Sequence, residues 1–266
     1  GDIMTDLHLH TFFSYDGREE MENYVKAAVG AGKKRIGFSE HYDYNCFLTG
    51  DGTPLCDLDR YKAKTEELKE KYAGKIDILF GVEFGFSREA VPHYREMTEK
   101  YRFDYVINSA HVVGEKDCYY NEYCRGLTKE QAYGRYLEKV LESVAADYPY
   151  QIVGHIGYPS RYAPFGDRRM LYADHAAMFD KILKAIVARG VCLELNTSTK
   201  SETEFLPDKS IAERYIELGG REFTFGSDAH DLKRFGEKED KVKAFLSERG
   251  MVSRYFVGGK KFTEGE

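Results

Sequence analysis

The chain has 266 residues, of which 42% are hydrophobic and 32% charged, with a formal net charge of -6 at pH 7. That composition suits an ordinary globular protein and lacks the basic footprint of a partner for long nucleic acid or an anionic membrane. No apolar run reaches the length of a bilayer span and no secretory signal pattern opens the sequence, so a cytoplasmic location is expected. Five cysteines (Cys46, Cys56, Cys118, Cys124 and Cys192) form no CxxC pair and are read as free thiols in a reducing compartment.

In chain order, a short apolar run over Ile3–His8 predicts a first strand that ends in the sequence His8-Leu9-His10. Residues two apart on a strand share a face, so both imidazoles would point the same way. A helix over Met21–Ala31 is stopped at Gly32, and a second strand, Arg35–Ser39, leads into Glu40-His41. The loop Tyr42–Asp57, with Gly50, Gly52 and Pro54, is long enough to expect a functional role. Asp57 or Asp59 should cap a helix to Tyr72. Strand three, Ile76–Phe80, is followed by Gly81-Val82-Glu83, a helix over Arg88–Lys100, and strand four, Tyr105–Asn108, which leads into Ser109-Ala110-His111.

A second long loop, Val112–Leu127, carries Glu115, a Tyr cluster and Arg125. Thr128 opens a helix to Ala146 with a capping-box pattern. Strand five, Gln151–Gly154, ends at His155, and Arg161 follows in the loop between Tyr158 and Tyr162. A helix over Ala173–Arg189 precedes strand six, Val191–Leu195, and then Asn196. A helix beginning at Pro207 or Asp208 precedes strand seven, Glu222–Phe225, and Gly226-Ser227-Asp228-Ala229-His230. A helix over Lys238–Arg249 and a short strand, Arg254–Val257, close the chain.

Strand–helix alternation implies a parallel sheet with right-handed crossovers, either a closed barrel or an open doubly wound sheet. No GxGxxG follows strand one, which argues against a dinucleotide fold. A barrel predicts functional residues at the C-terminal ends of many strands. Six of the eight histidines meet that prediction: His8, His10, His41, His111, His155 and His230. Glu83 and Asp228 take matching positions, and Asp16 lies in the loop after strand one. So many N and O ligands exceed the needs of one tetrahedral ion and suggest two or three divalent metals. His93 and His175 are read as solvated helix residues. Arg161, in a loop that starts at the strand ends, has two readings from its position: a guanidinium that holds a phosphate bidentately, or a loop arginine paired with a nearby acid. No GxSxG, P-loop or kinase motif supports other chemistries.

These motifs, in this order from Thr5 to His230, resemble the polymerase and histidinol phosphatase (PHP) superfamily, and within it the bacterial histidinol-phosphate phosphatases. The resemblance rests on His8-Leu-His10-Thr11 with Ser14 and Asp16-Gly17, Phe38-Ser39-Glu40-His41, Gly81-Val82-Glu83, Ser109-Ala110-His111, Gly154-His155, Glu194-Leu195-Asn196-Thr197 and Gly226-Ser227-Asp228-Ala229-His230. It implies an α/β fold, a distorted TIM-like (β/α)7 barrel, with residues 1–266 as one domain. It also implies three divalent ions, zinc in the first instance, with iron or manganese as alternatives. One ion would bind His8, His10, Glu83 and Asp228. A second would share Glu83 and add His111 and His155, and a third would bind Asp16, His41 and His230. Many superfamily members have His where this chain has Asp16. Asn196 matches no ligand and is expected to orient one that does.

The expected reaction is phosphomonoester hydrolysis, with L-histidinol phosphate as substrate in histidine biosynthesis. Asp228, His230 and Arg161 are the expected catalytic groups. Arg161 and Glu115 are the expected substrate contacts, Glu115 meeting a cationic group. The expected partner is a small phosphorylated substrate, with no long nucleic acid and no membrane, and the oligomeric state is open. The rival readings are a superfamily phosphoesterase acting on nucleotides or short nucleic acids, a metal-dependent amidohydrolase, and a non-catalytic metal-binding protein. The amidohydrolase commonly needs a carboxylated lysine near strand four, where this chain has His111.

Overall fold

The computed structural model describes residues 4–44, 55–199 and 203–265. Its centre is a sheet of six parallel strands: β1 (Arg35–Tyr42), β2 (Asp77–Gly85), β3 (Tyr105–Ser109), β6 (Ile152–Val153), β7 (Cys192–Asn196) and β8 (Phe223–Gly226), neighbouring one another in that order. Helices α1 (Met21–Gly30), α2 (Leu58–Lys71), α3 (Val91–Tyr101), α4 (Lys129–Val144), α5 (Ala176–Arg189), α6 (Lys209–Glu217) and α7 (Glu239–Glu248) stand in the intervals. A small antiparallel ribbon, β4 (Val112–Val113) with β5 (Lys116–Asp117), lies beyond β3.

The opening segment joins the two edges of this sheet. On one side Gly37 N donates to Asp6 O and Ser39 N to Leu9 O; on the other, Leu7 N donates to Phe225 O and His10 N to Ala229 O. The sheet therefore closes into a distorted barrel. The expected regular first strand is replaced by isolated bridges at Asp6 and Leu9. The reason is local: the buried Asp6 carboxylate accepts from His8 N at 3.2 Å and from Ser227 N at 3.0 Å, which bends the segment away from a continuous ladder.

Alternation along each strand sorts the side chains. Phe38, Phe80, Phe84, Val106 and Phe225 pack outward with the helices, and Leu7, Leu79, Tyr105, Ile107, Ile152 and Cys192 fill the lower interior. Tyr105 is the keystone of that interior. Its hydroxyl donates to Leu7 O at 2.5 Å and Phe38 O at 2.9 Å, tying β3 across the barrel to the opening segment and β1. Gly37 and Gly81 make the room: a Cβ on Gly37 would lie 2.5 Å from Tyr105 Oη, and one on Gly81 2.3 Å from its Cζ. Tyr255 and Phe256, on β9 (Arg254–Val257), join the same interior cluster. β9 pairs with β10 (Lys260–Thr263) as an antiparallel hairpin, so the strand expected at the end of the chain does not extend the barrel.

Several helix boundaries follow the sequence reading. Thr128 and Gln131 form the capping box of α4, Asp57 caps α2 and Asp208 caps α6. The expected start of α5 at Ala173 is instead a single tight turn over Tyr172–His175, with α5 beginning at Ala176. Most of the loop expected over Tyr42–Asp57, with Cys46, Gly50, Gly52 and Pro54, lies outside the described residues. The four described cysteines are buried and unpaired. Among the described residues no helix is long and apolar enough to cross a membrane.

Replacing Tyr105 by Phe removes the buried hydroxyl that Leu7 O and Phe38 O share. A loss of about 1–3 kcal/mol in urea unfolding is expected, and unchanged stability would show that the hydroxyl does not hold the closure.

Candidate metal centre

The upper interior is polar because inward-facing positions of several strands carry acids and imidazoles. Glu83, from β2, is fully buried and touches five histidines. Its Oε1 lies 3.4 Å from His8 Nε2, 3.6 Å from His10 Nε2 and 3.0 Å from His41 Nδ1. Its Oε2 lies 3.3 Å from His111 Nε2 and 3.0 Å from His155 Nε2, and accepts from Ser109 Oγ at 2.7 Å. Asp228 Oδ1 is 3.4 Å from His8 Nε2 and 3.0 Å from His10 Nε2. Asp16 lies between His41 Nε2, at 3.4 Å, and His230 Nε2, at 3.1 Å. All nine side chains expected at the metal mouth are therefore brought together.

Two observations fit this set to divalent ions. Oxygen and nitrogen ligands at about 2.0–2.2 Å from one ion stand about 3.0–3.5 Å from each other, close to the spacings above. In addition, His8 Nε2, His10 Nε2, His41 Nδ1, Glu83 Oε1, Asp228 Oδ1 and Asp16 Oδ1 are buried without a hydrogen-bond partner among the described residues. Polar atoms in that state are costly unless a ligand takes them up. Four overlapping triads have ligand atoms close enough to share an ion: His8–His10–Asp228, His8–Glu83–His155, His41–Glu83–His111 and His10–His41–His230. His41 thus faces Glu83 through one ring nitrogen and Asp16 through the other, a double contact absent from the grouping that the resemblance implies.

A second layer of acceptors fixes the rings. His8 Nδ1 bonds Glu194 Oε2 at 2.5 Å, and His111 Nδ1 bonds Asp43 Oδ2 at 2.8 Å. His10 Nδ1 bonds Ser14 Oγ at 3.3 Å, and His230 Nδ1 bonds Asp228 O at 2.9 Å. Each such bond commits one ring nitrogen and turns the other toward the centre. Glu40 accepts from Thr11 N, Thr11 Oγ1 and Ser14 Oγ, and burial pushes its carboxyl up to about 7. Asp228 sits in the left-handed region, with φ 55, a strained conformation for a non-glycine residue. Its amide donates to His8 O at 2.8 Å, which pins the strained turn to the opening segment.

Burial opposes charge on both central acids. For Glu83, His8 and then His111 outweigh it; for Asp228, His8 and then Arg161 do, so both carboxyls stay well below the usual range. Burial, with His41 and His230 adding to it, pushes His10 down to about 3 and keeps its ring neutral, the form that ligates metal.

Arg161 is buried at the edge of the same cavity. It donates to Asp228 Oδ2 at 3.0 Å and Asn196 Oδ1 at 2.8 Å. Asn196 also donates to Asp228 Oδ2 at 3.2 Å and Glu194 Oε1 at 3.0 Å, the orienting position expected of it. The cavity is about 260 Å³ and includes Tyr15, Tyr119, Tyr120 and Tyr158 in its wall. Glu115 is not part of it. That residue occupies the exposed turn between β4 and β5 and lines a separate hollow with Arg135 and Glu138. Gly114 turns the ribbon there with φ 65, which leaves Glu115 at the tip and returns Asp117 to the cavity wall. His93 is half-buried, stacked on Tyr44 at 3.7 Å and bonded to Tyr42 Oη, where a solvated residue was expected.

Asp43, Glu194, Glu40, Ser109 and Asp117 were not assigned roles from the sequence. Glu194 carried a signal, since a lone acid inside the apolar run Val191–Leu195 shares the face of Asn196.

The fold and site together define a class: an α/β barrel with a cluster of metal-ligating side chains at the C-terminal ends of its strands. A model of the PHP domain matches residues 6–198, and the chain belongs to that family. It is 32% identical to a probable histidinol-phosphatase of Clostridium acetobutylicum over 86% of this chain and 87% of that protein. It is 29% identical to the histidinol-phosphatase of Lactococcus lactis over 98% and 97%. The crystal structure of the Lactococcus lactis histidinol phosphate phosphatase, complexed with zinc, L-histidinol and phosphate, superposes with a TM-score of 0.87 at 28% identity, covering 97% of this chain and 98% of that one.

Substituting Glu194 by Gln keeps the shape but removes the charge that orients His8. Metal affinity, read by competition with a chromogenic chelator, is expected to fall by about 10–100-fold; unchanged affinity would show that His8 needs no such partner.

Proposed function

We propose that this protein hydrolyses L-histidinol phosphate to L-histidinol and phosphate, using divalent metal ions held in the cavity by its nine convergent side chains. The observation that carries the reading is the joining of that cluster to a buried arginine in one cavity. Relatives spanning nearly the whole chain bear the corresponding name, and the Lactococcus lactis structure holds zinc, L-histidinol and phosphate.

Three ions are assigned. His8, His10, Glu83 and Asp228 would hold the first, Glu83, His111 and His155 the second, and Asp16, His41 and His230 the third. His41 Nδ1 lies 3.0 Å from Glu83 Oε1, and His41, Glu83 and His111 form a triad whose ligand atoms could share an ion. Zinc suits this imidazole-rich set, with iron or manganese as alternatives, and Asp16 adds negative charge to the third position. Bound ions would supply Lewis acidity toward a phosphoryl oxygen and lower the pKa of a water nucleophile.

The side chains supply the rest. Glu83, held ionised, is the carboxylate that the first and second positions share. Arg161 meets the equatorial phosphoryl oxygens, where charge concentrates as water adds to phosphorus and the ester P–O bond breaks. Asn196 and Asp228 keep its guanidinium in place. The departing alkoxide of an amino alcohol is a poor leaving group and needs a proton or a metal contact. Asp228, ionised throughout, orients Arg161 and has no proton to give, and His230 is engaged at both ring nitrogens, Nδ1 by Asp228 O and Nε2 at the third metal position, so an ion bound there would take the charge of the departing oxygen in place of a proton. In this reading the chain works as one barrel domain.

The test is phosphate release from L-histidinol phosphate beside a panel of sugar, nucleotide and amino-acid phosphates. A strong preference for histidinol phosphate is expected, and Arg161→Ala should lower its kcat/KM by about 100-fold or more. A flat or nucleotide-biased profile would assign the site to another phosphoester, and unchanged kinetics in the variant would remove Arg161 from it.

A further inference from the structure

Arg161 is held at its tip by Asn196 and Asp228, both of which bond its Nη2. Its base is held differently. Arg161 ends the single tight turn Tyr158–Arg161, and the last carbonyls of such a turn need donors from elsewhere. Pro164, three residues on, has no N–H, and no backbone amide among the described residues reaches Arg161 O. The partner is a second arginine: Arg168 Nη1 donates to that carbonyl at 3.2 Å.

Arg168 is itself fixed from behind. Tyr133 Oη donates to Arg168 O at 2.6 Å. The acid next in sequence is engaged elsewhere, since Asp167 takes Arg169 through Nε at 3.0 Å and Nη2 at 2.9 Å. Tyr136, three residues after Tyr133 on the buried face of α4, accepts from Gly157 N at 3.2 Å and donates to His155 O at 3.4 Å. Both tyrosines are buried. One turn of α4 therefore grips the chain between His155 and Arg168 near both ends, and Arg168 reaches back across that span to Arg161. Arg161 and Tyr162 line the cavity, whereas Arg168 stands outside its wall.

We propose that Arg168 is a positioning residue for the hydrolysis: by bonding the carbonyl at the base of Arg161, it sets how far that guanidinium enters the cavity. The proposal rests on the reading of the cavity as a phosphomonoesterase site in which Arg161 meets the phosphoryl group. A displacement of about 1 Å at a reacting centre costs up to about 100-fold in rate, and a side chain fixed only at its tip shifts with its turn.

The experiment is a double-mutant cycle on the metal-loaded enzyme, read as kcat/KM for L-histidinol phosphate and as inhibition by inorganic phosphate. Arg168→Leu should lower kcat/KM and weaken phosphate inhibition about tenfold each, with bound metal per chain unchanged. In the Arg161→Ala background the same change should cost less than about twofold. Arg168→Gln keeps an N–H donor without the charge and should regain most of the loss. An equal loss in both backgrounds, no loss in either, a lowered metal content, or a Gln variant as impaired as Leu overturns the assignment. If Arg168→Leu does not fold, Tyr133→Phe decides: it keeps the ring, removes only the bond to Arg168 O, and should lower kcat/KM about threefold when Arg161 is present and not when it is Ala; equal effects overturn the proposal. Unchanged kinetics in Arg161→Ala alone contradict the underlying reading of Arg161 as the phosphate contact, a result distinct from all of these.

Discussion

One carboxylate organises this molecule. Glu83 is fully buried and lies within ion-pair distance of five imidazoles drawn from the opening segment, β1, and the segments that follow β3 and β6. Imidazoles crowded this closely repel each other when charged and compete for the same space. A shared anion at their centre lets them converge, and divalent ions extend the same logic. Glu83 reaches that position because β2 runs between β1 and β3 and its inward residues alternate: Leu79 in the apolar interior, Gly81 beneath Tyr105, then Glu83 above.

The rest of the upper barrel serves that arrangement. Glu194 and Asp43 each commit one nitrogen of a histidine, and Glu40 ties the turn after His10 to β1. Asp228 occupies a left-handed backbone conformation so that its carboxylate can meet His8, His10 and Arg161 together. So many buried charges and one strained turn are poor choices for stability alone and are the signature of a site kept for binding. The stability lies below, in the apolar interior around Tyr105 and in the aromatic packing of the helix layer.

Much of this was legible in the sequence because it rests on short-range rules. Strand–helix alternation implied a parallel sheet, closed or open, and imidazoles at the ends of successive strands pointed to the closed form, where they could converge. Asn196 was readable as an orienting residue. The opening segment was read as a regular strand because its apolar alternation was visible while the hydrogen bonds made by buried Asp6 were not. Glu115 was expected among the substrate contacts because a loop sequence does not reveal where a ribbon turns; with Gly114 left-handed, Glu115 stands on the outer turn and Asp117 on the cavity wall. Glu194, Asp43 and Glu40 act through partners distant in sequence, 186 residues in the case of His8 and Glu194, and no local pattern marks such pairs.

The central claim is that Glu83 holds the cluster together, and Glu83→Gln tests it most directly. The variant conserves volume and removes only the charge among the histidines. Elemental analysis of the purified protein, with phosphate release from L-histidinol phosphate measured on the same sample, should show fewer bound metal ions per chain than in the unmodified protein and loss of hydrolysis. A full metal complement with full activity would contradict the account.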